Sequence, residues 1–436
     1  MMTSTGSVAQ DVVRLDLAQT AALARERSLL IRAARQDVAT QKFIVDEAKA
    51  LRYGKVQVDA GYLRLDAPIS ISSDPVHVPI LGGLTLSVPP VVIAPADYAH
   101  VRLEAGLPLY TGGKITNAIA AARAGQEAAE EFSEDAEASA ILDASQLYLG
   151  ALLARDVVLL HQQSLESYRR HLAEARTAYK TGIAANYDLV RAEAALAEQE
   201  KRLIEARNRS ALVEAALRTS LDLPADTKLE LQGALFEPPS PQTLAEMQSL
   251  ANQENRALQA VRKKVEALER ATRMEKGDYL PQVLAVAGKE TVQSKLAQTD
   301  PNWFAGVQAT WTLFDGGGRR ARIKARQSDT DKARIEERHT QDRIELAIRS
   351  ALLEFESQKS ARSSAQKAAE LARESLSLAT KRFAVGAGTS LEVLDANVAL
   401  VAAETGVRSA QFQMDAAYLR MRRFVGDITE VAAKIQ

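Results

Sequence analysis

The 436-residue chain contains no cysteine. That excludes disulfides, thiolate metal sites, cysteine nucleophiles and a lipid-modified cysteine within this sequence. Histidine is nearly as scarce. His77, His100, His161, His171 and His339 are scattered, with no two at metal-ligand spacing, so no metal or other cofactor is expected and no catalytic residue stands out. Neither sign of charge dominates, with 55 Lys plus Arg against 56 Asp plus Glu, which argues against nucleic acid as a partner. Aromatics are only 5%, a level that suits long helices better than a compact enzyme. Long uncharged runs are absent but for Pro75 to Ala96, which holds five prolines and Gly82-Gly83. Prolines remove donors and clash inside a helix, so any membrane insertion must use strands. The opening MMTSTGSVAQ lacks the basic and apolar regions of a complete signal peptide. Its Ser7-Val8-Ala9 before Gln10 fits a cleavage site and an ordinary terminus equally well.

What is present is a repeat. Sliding the chain by 204 positions lays LPLYTGGK (Leu107 to Lys114) on WTLFDGGG (Trp311 to Gly318), and AYKTGIAANYDLVRAEAAL on RFAVGAGTSLEVLDANVAL. Upstream the offset is 227, placing Arg35 on Arg262 and Val56 on Val283; the first half therefore carries 23 extra residues in its Pro-rich segment. There, His77 to Leu81 and Leu84 to Val88 flank Gly82-Gly83 as a hairpin would.

Each half reads helix, strand, strand, very long helix, turn, helix. The stretches 113–181 and 317–385 are free of proline and rich in Ala, Glu, Leu, Arg and Gln, the strongest helix formers. At ~1.5 Å per residue each would be a rod of roughly 100 Å. Gly182 and Gly386 stop these helices, and Asn186, Thr389 and Ser390 restart the chain as helices, with Asp188 and Glu392 in their first turns. The reading divides the chain into a first repeat, 10–222 (strands 54–65 and 99–110, long helix 113–181, return helix 186–221), a linker, 223–242, a second repeat, 243–426 (strands 281–292 and 303–314, long helix 317–385, return helix 390–425), and a short C-terminal tail, 427–436.

The strands separate a membrane protein from a soluble coiled-coil scaffold, which the helices alone would fit as well. Val101, Leu103, Ala105, Leu107 and Leu109 alternate with Arg102, Glu104, Gly106 and Pro108; Val56, Val58, Ala60 and Tyr62 alternate with Gln57, Asp59 and Gly61. This period of two over about ten residues is that of a transmembrane barrel strand. Trp303 and Trp311 share parity and lie about 26 Å apart at ~3.3 Å per residue, the spacing of two aromatic girdles. Four strands cannot close a barrel, so strands must pair between copies: two copies give eight, three give twelve.

The junction motifs LPLYTGGK and WTLFDGGG, the turn motifs YKTGIAANYDLVRAEAAL and FAVGAGTSLEVLDANVAL, and the duplicated element order resemble the TolC-like outer-membrane efflux proteins from about Leu15 to Gly426. The resemblance implies a mainly α fold with a membrane β-barrel. It implies a homotrimer whose twelve-stranded barrel in outer-membrane lipid continues as a twelve-helix periplasmic tunnel. It further implies a passive exit duct for efflux or type I secretion, docked by a periplasmic adaptor protein and an inner-membrane transporter. Asp188, Glu392 and Asp395 would then line the pore mouth, with Tyr187 and Arg191 in a closing network, while Gly182 and Gly386 form adaptor-docking turns. Plain readings stand beside these: acids at a helix start cap its dipole, and glycines simply turn the chain. Gly388 occupies a place where some relatives have a gate arginine, which puts an inherited lock there in doubt. Gly316-Gly317-Gly318 lacks the Gly-Lys-Ser/Thr ending of a phosphate loop and reads as a bend. The basic run Arg319, Arg320, Arg322, Lys324 and Arg326 suits lipid head groups or an ion-paired helix face.

Overall fold

A computed structural model describes residues 12–71, 76–78, 84–86, 91–94, 96–182, 184–292 and 303–434. The elements are β1 (Val12–Leu15), α1 (Leu17–Arg27), α2 (Leu29–Ala50), β2 (Lys55–Arg64), β3 (Ile69–Ile71), β4 (Val76–Val78), β5 (Leu84–Leu86), β6 (Val91–Ala94), β7 (Asp97–Tyr110), α3 (Lys114–Lys180) and α4 (Asn186–Ser220). There follow β8 (Lys228–Leu231), α5 (Leu244–Glu254), α6 (Arg256–Lys276), β9 (Gln282–Val292), β10 (Trp303–Thr310), α7 (Gly318–Ala384), α8 (Ser390–Val425) and α9 (Ile428–Lys434). Among the described residues no helix is long and apolar enough to cross a membrane. The chain forms two compact units, one of Thr40–Gln126 with Lys263–Arg334 and one of Met1–Ala39, Glu127–Arg262 and Ile335–Gln436.

The first unit holds an antiparallel sheet of order β2-β7-β9-β10. Its register sorts the alternating sequences onto two faces. Val56, Ala105, Ala287 and Ala305 form one cross-strand row, and Val58, Leu103, Lys289 and Trp303 the next. On the opposite face lie Gln57, Glu104, Gly288 and Phe304, and then Asp59, Arg102 and Glu290. One face is thus mainly apolar and the other mainly polar, and the apolar one is not covered: Val56, Val58, Tyr62 and Val307 are all exposed. β2 and β10 are the sheet's edges, so each leaves a row of backbone donors and acceptors without a strand neighbour. In the 23-residue insertion, β3 pairs with β6 and β4 with β5, Val76 opposite Leu86 and Val78 opposite Leu84. The expected Gly82-Gly83 turn lies outside the described residues.

The last strand is shorter than its alternation suggests, ending at Thr310 rather than 314. Its partner β9 begins at Gln282, opposite Thr310, so from Trp311 onward no ladder is available. The Trp311 indole N–H instead donates to the Tyr279 carbonyl at 3.1 Å. Glycines set the strand-to-helix junctions. Gly112 has φ +62°, and a Cβ there would lie 2.5 Å from the Gly277 carbonyl oxygen. Asp315 supplies the anion at the start of α7: its carboxylate accepts from the Gly317 N–H at 3.2 Å and the Arg319 N–H at 2.6 Å. The Gly-rich bend is therefore capped by its own Asp315. Of the basic run, Arg319 is buried over the Tyr279 ring, 4.8 Å from its centroid, and Arg322 and Arg326 approach Glu275 at 3.9 and 3.8 Å. Arg320 and Lys324 remain exposed.

The second unit is helical around a core that includes Leu149, Leu152, Leu217, Met247, Ile348, Phe355, Leu419 and Met421. Here the supposed linker is structured: β8 pairs in parallel with β1, Val12 opposite Lys228, and Arg155 donates to the Leu231 and Gly233 carbonyls at 2.9 and 3.1 Å. The C-terminal tail contains α9. Ile428 and Ala432 of α9 are fully buried against Ala21, Ala138 and Ile141, because their four-residue spacing puts both on one helix face. The duplication survives in backbone detail. Ser28 separates α1 from α2, and Asn255, its counterpart at offset 227, separates α5 from α6 while accepting from the Leu258 N–H at 3.1 Å. Gly426 ends α8 with φ +107°, and its counterpart at offset 204, Asp222, has φ +50°.

Candidate functional site

The sequence places its candidate residues at the two helix–turn–helix ends of the second unit, α3 to α4 and α7 to α8. Both turns are built by glycine. Gly386, at φ +73°, donates to the Phe383 carbonyl at 3.0 Å while the Ala387 N–H donates to the Arg382 carbonyl at 2.9 Å. These two hydrogen bonds satisfy two of the last carbonyls of α7. Gly182, at φ +77°, likewise donates to the Tyr179 carbonyl at 3.0 Å. Both glycines are exposed, and nothing lies within 4 Å of where a Cβ of Gly182 would be.

The restart of each helix differs from the reading in one respect. Thr389 caps α8, its hydroxyl accepting from the Glu392 N–H at 3.3 Å. At α4 Asn186 is already helical, and Asp188 provides the oxygen, accepting from the Ala185 N–H at 3.3 Å. Asp188 thus performs the plain capping role. Tyr187 is exposed, and Arg191, one turn on, donates to its hydroxyl at 3.1 Å. These two residues form a local pair one turn apart on α4.

Glu392 and Asp395 are brought together. They line one cavity of about 730 Å³ with Glu374 and Arg382 of α7. Arg382 lies 3.7 Å from Glu392 and also donates to the Ala387 carbonyl at 3.1 Å. The cavity therefore holds three carboxylates and one arginine. Glu374 was missed in the sequence because it lies in the middle of a charged helix, far from the turn signal. Arg382 gives no signal in the sequence because it is one of several basic residues near the end of α7. A Cβ at Gly388 would meet the Arg382 Cβ at 3.0 Å and a Glu392 carboxylate oxygen at 3.2 Å, so glycine is what lets this pair sit against the turn. Asp188 does not line this cavity. Beneath the turns, Ala175, Ala192, Ala379, Phe383, Val393 and Ala396 pack as a small apolar cluster. In the sheet unit, Trp303 opens β10 and Trp311 follows its end, both side chains exposed. Among the described residues no group of His, Cys, Asp and Glu could hold a metal ion.

The sequence model of the family described as "Outer membrane efflux protein" matches residues 20–222 and 247–427. The chain belongs to the outer membrane efflux protein family. Members of this family are outer-membrane proteins, which removes the soluble coiled-coil scaffold as a reading of the long helices. The alkaline protease secretion protein AprF of Pseudomonas aeruginosa is 25% identical over 65% of this efflux protein and 60% of its own length. This chain thus spans less than two thirds of that relative. The outer membrane efflux protein BepC of Brucella suis is 23% identical over 76% of this chain and 72% of its own. Among solved structures, the outer membrane protein VceC of Vibrio cholerae superposes with a TM-score of 0.74 at 16% identity, covering 94% of this chain and 96% of that one. That likeness establishes the fold: mainly helical, with a small sheet.

Proposed function

We propose that this efflux protein is one third of a trimeric exit duct. The carrying observation is the four-stranded sheet with an exposed apolar face and two free edges. In lipid an open edge leaves backbone groups unpaired at several kcal/mol each, so neighbouring copies must complete the ring. Three copies would give a twelve-stranded barrel, with Trp303 and Trp311 at the lipid boundaries and the helical units forming a periplasmic tunnel. The pore would narrow at the helix turns, where Glu392 and Asp395, with Glu374 added, put carboxylates from three chains in one ring. Asp188, Tyr187 and Arg191 belong to the same closing end. The exposed turns at Gly182 and Gly386 would receive a periplasmic adaptor that couples the duct to an inner-membrane pump. The names of AprF and BepC support secretion and efflux alike as the transport served.

Purified in detergent, the protein is expected to behave as a trimer by light scattering and to give discrete ion currents in planar bilayers. A monomer that stays folded without detergent would overturn the duct. In the same recordings, Glu392→Ala with Asp395→Ala is expected to lower cation preference at least about twofold, because a ring of like charge concentrates counter-ions. Unchanged selectivity would take these residues out of the constriction.

A further inference from the structure

An ionisable ring packs against the buried cluster below the turns. His171 of α3 is 2% exposed, and its Nε2 lies 2.8 Å from the hydroxyl oxygen of Ser390, the fully buried first residue of α8. Its ring meets that of Phe383 on α7, with centroids 4.9 Å apart. One side chain of α3 thus touches both α7 and α8, and its Nδ1 has no hydrogen-bond partner. We propose that His171 is a proton-sensitive latch: the neutral imidazole ties α3 to the first turn of α8, and proton uptake releases the tip of the helical unit. The latch rests on the reading of these turns as the closing end of a duct.

When Nε2–H donates to Ser390, the neutral ring leaves only a bare lone pair at Nδ1. A second proton would create an N–H⁺ with no acceptor, inside apolar packing, where an unpaired donor and an unpaired charge are both costly. The N-terminus of α8 carries partial positive charge and disfavours a cation there. The ionic surroundings are mixed. Arg170 and Glu174 of α3 and Arg373 and Lys381 of α7 line the same cavity, of about 340 Å³, as His171. Arg373 is paired with Glu404 of α8. Asp188 of α4 attracts a proton to the ring, whereas Glu392 and Asp395 of α8 line the other cavity, with Arg382. Burial outweighs Asp188 and holds the imidazole below the ordinary histidine range. Because the folded value is depressed, the stabilisation is complete above about pH 6.5 and is lost as pH falls through the folded value.

The absence of native cysteine makes the test clean. Spin labels on Thr181→Cys and Val385→Cys, both exposed positions, would report tip distances by pulsed EPR in the purified full-length protein at pH 7.5 and 5.0. The wild-type background should show a longer-distance population on acidification, rising by up to about tenfold per pH unit once the ring titrates. His171→Gln, which can keep the Ser390 bond but cannot charge, should hold the short distances at both pH values. Ser390→Ala should already show the longer population at pH 7.5. Equal responses of wild type and His171→Gln, or no response in either, would overturn the latch, as would Ser390→Ala behaving like wild type. If distances respond as expected but bilayers carry no current, the latch stands and the duct reading falls.

Discussion

Gly54→Ala is expected to abolish assembly of the sheet unit, seen as loss of the heat-resistant β signal in circular dichroism and of any membrane-extractable oligomer. Gly54 ends the turn before β2 with φ +69° and ψ −161°, a backbone region open essentially to glycine alone. A Cβ there would also sit 2.0 Å from the Gly106 carbonyl oxygen of β7. Lys55 pairs with Gly106 at the start of the β2–β7 ladder, so relief of the clash would move the first pair of that ladder. Strain and displacement together should cost more than about 3 kcal/mol. Gly306→Ala is the control: nothing lies within 4 Å of where its Cβ would be, and it should assemble normally.

Asp415→Asn is expected to act in the opposite direction and stabilise the helical unit. Asp415 of α8 is fully buried, and burial pushes its carboxyl up to about 8, against the opposing pull of Gln411, Arg362 and the Phe236 backbone. Gln411 donates to one carboxylate oxygen at 2.6 Å, while the other oxygen and the Gln411 carbonyl have no partner. An asparagine could accept from Gln411 and donate back, satisfying both. A raised folded value means that the wild type is most stable below about pH 4 and loses stability as pH rises towards about 8. The variant, which cannot ionise, should gain on it by up to about 4 kcal/mol at neutral pH. Thermal melts followed by helical circular dichroism should show a gap that widens from pH 4.5 to pH 8. A constant gap, or a less stable variant at pH 8, would mean that Asp415 is not held protonated.

The long helices were legible because nothing interrupts them: proline is absent and glycine marks each stop. The sheet was legible because its alternation is uncovered on one side and polar on the other. The β1–β8 ladder was hidden, since four residues such as Val12–Leu15 show too little periodicity to distinguish from a loop. α9 was hidden because only ten residues follow Gly426, too few to show a helical period. His171 sits in YRRHLAEA, a charged stretch that suggests a solvated face. Ser390 resembles a cap, yet it is the buried partner of that histidine, while Thr389 does the capping. Such pairings join residues 219 positions apart, and no local pattern encodes them. Asp415 did leave a trace: it is the lone acid in FQMDAAYLRM, a largely apolar stretch of α8.

The number of strands in the sheet carries its own consequence. Four is even, and every neighbouring pair runs antiparallel, so β2 and β10 point in opposite directions. A copy placed beside another by simple rotation therefore meets it with the same alternation it has inside, and the seam needs no change of pairing type. With an odd count, each join would set like directions side by side and break the pattern once per copy. Parity permits the ring to grow by any number of copies, which leaves the stoichiometry to be chosen by the helices.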